Sequence, residues 1–114
     1  MKKEANIFLQ HILDSIEKIE EFTLGLSKDG FIRSAKSQDA VIRRLEIIGE
    51  ATKNLPKNFR EEHNEVPWNE IAKTGDKLIR GYFGIDLSIT WNVVKNDLPD
   101  LKNKVKKILE QAKL

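Results

Sequence analysis

A chain of 114 residues with no cysteine excludes both a disulfide framework and a thiolate metal site. Its 20 basic and 18 acidic side chains leave a net charge of +2, too small to argue for nucleic-acid binding on electrostatics alone. The length suits one domain spanning 1–114 with a modest core, and no apolar run approaches the roughly 18 residues that cross a bilayer.

The opening "MKKEANIFLQHILDS" is basic, but acidic and polar residues break any signal-peptide core. A cytoplasmic protein with no membrane attachment is expected. From Phe8, apolar residues recur at Leu9, Ile12, Leu13, Ile16 and Ile19, with Phe22 close behind. Gaps of three and four place them on one helical face and leave Glu17, Lys18 and Glu21 to water. Gly25 and then "SKDG" end this helix. A second helix starts near Ser37, a plausible N-cap, and runs through "AVIRRLEIIGEATKNL" until Pro56 stops it. Val41, Leu45, Ile48 and Leu55 mark its buried stripe. The polar "KNFREEHNEV" holds a short helical turn at most.

Pro67 suits the first position of a third helix, where its missing N–H is an orphan in any case. Trp68, Ile71, Ala72, Leu78 and Ile79 follow at helical spacing. The last pattern is the cleanest: Trp91, Val94, Leu98, Leu101, Val105, Ile108 and Ala112. Pro99 lies inside it and predicts a kink or restart near Asn96 to Pro99. No segment alternates with period two, so the fold class is all-α, an up-and-down bundle of four to five helices.

The side chains that could carry chemistry are few. His11 and His63 are the only histidines, and neither has a second ligand at metal-binding spacing, so each is assigned to a surface or helix-end role. "GYFG" lacks the spacing and the following Lys-Ser/Thr of a phosphate-cradling loop. Arg43, Glu46 and Glu50 lie at three- and four-residue steps on the second helix, where ion pairing on the helix surface is the ordinary outcome. Gly49 among them costs about 1 kcal/mol relative to alanine, which suggests that another backbone or a ligand packs close by.

One stretch stands apart: "KTGDKLIRGYFGID", Lys73 to Asp86. Gly75 could be a C-terminal cap, with Asp76 capping a new turn. Alternatively the helix continues to Ile79 with Gly75 as a weak point inside it. Local physics leaves the function of this stretch open.

The segments "RRLEIIGEATKNLP" and "VPWNEIAKTGDKLIRGYFGIDLSITWNVVKNDLPDLK", with the helical N-terminus, resemble the HepT-like toxins of the HEPN superfamily. The likeness covers nearly the whole chain. It implies a dimeric helical bundle and a metal-independent ribonuclease that needs no cofactor. It also implies a minimal nucleotidyltransferase antitoxin that silences the toxin by transferring AMP to a tyrosine hydroxyl. The family signature is Arg, four residues, His, one residue, Tyr. Laid on this chain, the Arg position falls on Gly75, the His position on Arg80 and the Tyr on Tyr82.

Two of those three positions depart from the signature. Cleaving RNA without a metal needs a group that takes the 2′-hydroxyl proton, a donor for the leaving oxygen and positive charge at the phosphorane. Histidine suits the proton work. Arginine stays protonated and cannot do it, although Arg80 can still bind phosphate. Glycine offers only backbone. The resemblance therefore implies a toxin component with an impaired ribonuclease site at Gly75 and Arg80, an AMP acceptor at Tyr82 and supporting residues Asp76, Arg43, Glu46 and Glu50. The alternative is a non-catalytic helical dimer that captures a nucleotidyltransferase or a nucleotide. A symmetric homodimer is expected, with the 75–82 segment of both copies at a shared cleft and Phe83 and Trp91 packed inward.

Overall fold

A computed structural model describes residues 2–80 and 86–112, with side chains over 4–74 and 86–112. All its regular structure is helical: α1 (Lys2–Thr23), α2 (Lys28–Arg33), α3 (Ala35–Lys53), α4 (Lys57–Glu62), α5 (Trp68–Arg80), α6 (Leu87–Asn92), a π-helical turn (Val93–Asp97) and α7 (Leu98–Ala112). The four long helices α1, α3, α5 and α7 form the bundle, and the short ones fill its connections. The all-α expectation is met.

The stripe on α1 is buried as its spacing requires: Leu9, Ile12, Ile16 and Ile19 have no exposed surface. Phe22, at the edge of that stripe, stays 39% exposed. Val41, Leu45 and Ile48 of α3 meet the α1 stripe in one apolar cluster, joined by Trp68 and by Leu98, Leu101, Val105 and Ile108 of α7. Helix α3 is central, packing against both α1 and α5, while α7 lies along α1. Gly49 is buried on this central helix, the environment its cost in helix propensity suggested. Lys102 of α7 reaches Glu20 of α1 at 2.8 Å.

The connections hold more structure than their composition suggests. After α1, Gly25 takes a φ of +76°, the left-handed backbone that terminates a helix and that a side chain would strain. "SKDG" then opens a helix instead of only closing one: the Ser27 hydroxyl accepts from the Gly30 N–H at 3.0 Å and caps α2. That turn buries Phe31 completely and sets its ring 5.3 Å from Trp91, tilted by 32°. Helix α3 starts before Ser37. Its N-cap is Ser34, whose backbone is extended and whose Oγ accepts from the Ser37 N–H at 3.1 Å. Gln38 donates back to the carbonyl of Ile32 (2.8 Å), which the end of α2 leaves open, and to that of Phe31 (3.0 Å), which also accepts from the Ser34 N–H. Asn54 caps α3, so Leu55 is buried just beyond the helix instead of within it.

Helix α5 settles the alternatives at Gly75. It is unbroken from Trp68 to Arg80, so Gly75 is an interior helical residue and not a cap. Pro67 stands immediately before it, its carbonyl accepting from Ile71 N–H at 3.1 Å. The restart predicted near Pro99 takes the form of the π-helical turn, in which the Leu98 N–H bonds to the Val93 carbonyl. Proline has no N–H for the Lys95 carbonyl and its ring crowds that oxygen; widening the helix by one residue before Pro99 relieves the clash. The pattern across this turn stays in register, with Val94, Leu98, Leu101, Val105 and Ile108 buried. Ala112, at its end, is exposed.

Candidate functional site

Helix α5 carries the positions that the signature singles out. Gly75, Asp76 and Arg80 all lie on it, with Arg80 as its last residue. Arg80 follows Gly75 by five positions, about 7.5 Å along the axis. Tyr82 and Phe83 lie outside the described residues. The start of α5 is held firmly. Trp68 is 4% exposed and its indole N–H donates to the His63 carbonyl at 3.0 Å, while Val66 is buried beside it. The Thr74 hydroxyl closes back on the Glu70 carbonyl at 2.9 Å.

Arg43, Glu46 and Glu50 share a groove between α1 and α3, about 420 Å³ in volume, with Phe8, His11 and Asn54. Arg43 pairs with Glu46 at 3.7 Å, whereas Glu50 turns to Lys53 at 3.4 Å. Arg43 is largely exposed, so its pair adds a few tenths of a kcal/mol at most. Among the described residues, none from α5 lines this groove. His11 is exposed at its edge and meets Phe8 edge-on at 6.2 Å. His63 ends α4, stacked against Phe59 at 4.5 Å with Nδ1 3.5 Å from Glu65. Both histidines thus occupy the surface and helix-end places expected of them.

A second cavity, of about 410 Å³, opens between α3, α5 and the π-helical turn. Leu45, Ile48 and Ile71 form apolar wall, and Glu70, Asp97 and Asp100 add carboxylates. It reaches Thr74, the residue before Gly75. Lys104 crosses its edge, bonded to Asp100 at 3.1 Å and to the Glu65 carbonyl at 3.1 Å. Sequence reasoning missed it, because its walls come from three segments with no shared motif. The proline that forces the π-helical turn was the one available signal. Among the described residues, no group of three His, Asp or Glu side chains is placed to hold a metal ion. No described helix is long and apolar enough to cross a membrane.

Residues 12–108 match the family described as "Ribonuclease HepT-like". The chain is 57% identical over 111 residues to the "Gamma-glutamylcyclotransferase and putative RNase MJ0434" of Methanocaldococcus jannaschii, covering 97% of this chain and 50% of that protein. This chain therefore spans about half the length of that relative. It is 48% identical over 108 residues to the "Probable ribonuclease HepT" of Thermococcus cleftensis, covering 95% of this chain and 98% of the other. Against the "Putative RNase TTE0752" of Caldanaerobacter subterraneus it is 46% identical over 111 residues, covering 97% and 99%. No solved structure matches the chain. The helical bundle, the α5 segment and a match over residues 12–108 lead to one conclusion: the chain belongs to the HepT-like ribonuclease family of the HEPN superfamily.

Proposed function

We propose that this protein is the toxin component of a toxin–antitoxin pair, a HepT-like ribonuclease whose own cleavage chemistry is impaired. The observation that carries the impairment is the placement of its two imidazoles. His11 is on α1 and His63 ends α4, so α5, which carries the signature positions, holds neither. Arg80 at the end of α5 supplies charge for a phosphate but no base, and Gly75 supplies neither.

Tyr82 needs no cleavage chemistry to serve as the acceptor of AMP. The tyrosine oxygen attacks the α-phosphorus of ATP, the bond to pyrophosphate breaks, and the phenolic proton leaves to solvent or to a base on the transferase. The partner is a minimal nucleotidyltransferase, and the site is shared by two copies of this chain. Ile89, 61% exposed on α6 just beyond the segment that holds Tyr82, offers apolar surface to such an interface. Co-expression with a nucleotidyltransferase encoded beside this chain, followed by intact and peptide mass spectrometry, tests the proposal. An AMP-sized addition on the Tyr82 peptide, lost in Tyr82→Phe, is expected. An unmodified Tyr82 in a stable complex would refute the acceptor role and leave a binding module.

A further inference from the structure

We infer that the corner between α4 and α5 is a phosphate-binding site centred on Arg60, taking the phosphate of a free nucleotide or of an RNA strand. A cavity of about 480 Å³ opens there, lined among others by Lys57, Arg60, Asn64, Trp68 and Asn69. Arg60 is half-buried and its Nε is wholly enclosed, yet that nitrogen finds no hydrogen-bond acceptor. A buried guanidinium N–H without a partner is costly and uncommon, and a ligand oxygen is one way to satisfy it. Were the guanidinium to turn so that Nε and a terminal nitrogen faced the cavity, they would form a side-on fork, the geometry that grips two phosphate oxygens.

The surroundings add donors. Lys57 is 85% exposed and only 4.0 Å from Glu61, a loose pair that leaves its ammonium able to swing inward. Asn64 and Asn69 contribute amides. In the first turn of α5 the Trp68 N–H is taken by the Val66 carbonyl at 2.9 Å, which leaves the N–H groups of Asn69 and Glu70 as the donors there. Glu61 and Glu70 also line the cavity and oppose an anion. Two cations thus face two carboxylates, which keeps the affinity moderate and gives the test a sign. The corner lies at the N-terminal end of α5, roughly 16 Å along the axis from Arg80. It is a different place from the signature positions.

The experiment titrates the full chain with inorganic phosphate, AMP and a short single-stranded oligoribonucleotide. Calorimetry gives affinities, and the Trp68 indole N–H resonance reports whether binding is at this corner. Arg60→Gln should weaken binding about tenfold or more through the loss of a charge-assisted pair, and Arg60→Lys should recover part of it. Glu61→Gln should tighten binding. Each variant is first checked for an unchanged melting curve. AMP and phosphate binding that depends on Arg60 identifies a free nucleotide; dependence seen only with the oligoribonucleotide identifies the RNA strand. The inference is overturned if wild type binds none of the three, if Arg60→Gln binds as wild type does, or if Glu61→Gln weakens binding. Because the readout is binding and not cleavage, an inert nuclease leaves the inference intact, and its failure leaves the toxin reading intact.

Discussion

Gly75→Arg and Arg80→His, made singly and together, test the assignment of the signature positions to α5. Position 75 is interior to an unbroken helix, so replacing glycine removes a propensity cost of about 0.8–1 kcal/mol. For a chain of this length the unfolding entropy makes that worth roughly 4 °C in Tm. Arg80→His gives up a few tenths of a kcal/mol of helix propensity at the last residue of α5 but places an imidazole where arginine cannot exchange a proton. General acid–base catalysis is worth roughly a hundred- to ten-thousand-fold. Because charge and base act on one transition state, the double variant should exceed the product of the single gains. The assay is cleavage of a short labelled RNA in the presence of a chelator, across the four proteins, beside their melting curves. A parent that cuts as fast as the double variant would refute the account of Arg80. A double variant that is more stable yet inert would show that α5 holds the positions without the chemistry. A Gly75→Arg protein that melts lower than the parent would mean that glycine serves close packing there.

Phe31→Ala should cost about 3–5 kcal/mol in denaturant unfolding, because it empties a fully buried site and removes a ring from Trp91; a loss below about 1 kcal/mol would contradict the packing of α2. Asp86 accepts from the N–H groups of Ser88 (2.9 Å) and Ile89 (3.1 Å), so Asp86→Ala should cost about 1 kcal/mol by unfolding. The Lys102–Glu20 pair is half-exposed at its acid, and a double-mutant cycle should return less than about 1 kcal/mol, shrinking in high salt. Sedimentation at micromolar concentration should show a symmetric dimer, and a monomer would count against a shared cleft.

Wherever a stripe of apolar residues was long enough to define a period, the helices were legible. The α1 face, the α3 face and the pattern through α7 were all found, since burial of one face is what the three-four spacing encodes. Short helices were harder: the turn expected in "KNFREEHNEV" is there as α4, but α2 was not foreseen. Helix α2 has six residues, too few for a period, and its one anchor, Phe31, follows a glycine in a stretch whose composition signals a turn. Its helical state comes from the Ser27 cap and from the pocket that Trp91 completes, and the second of these is tertiary. Ser37 reads as a cap in the sequence where Ser34 serves in the fold, because two serines three apart are equivalent until backbone angles distinguish them. The signature positions were found by resemblance alone. The cavity between α3, α5 and the π-helical turn depends on segments far apart in the chain, and no spacing rule brings Ile71 to Asp97; the one at the α4–α5 corner is local in sequence, but only the fold of that corner sets Arg60 beside Asn69.

The distribution of these features along α5 explains how the chain can lose chemistry and keep its fold. The first turn is fixed by buried Trp68 and its bond to His63, and by the apolar cluster beneath it. The signature positions begin at 75, after that anchor. A substitution such as arginine by glycine at 75 therefore costs about 1 kcal/mol of helix propensity at a point beyond that anchor. That is a small part of the 5–15 kcal/mol by which a domain is ordinarily stable. Catalysis is far less forgiving, since loss of a single proton-transfer group removes orders of magnitude in rate. Fold and partner surfaces can thus persist with the cleavage chemistry absent. In such a chain a tyrosine that accepts AMP and a corner that holds phosphate would remain useful, since neither depends on a base at position 80.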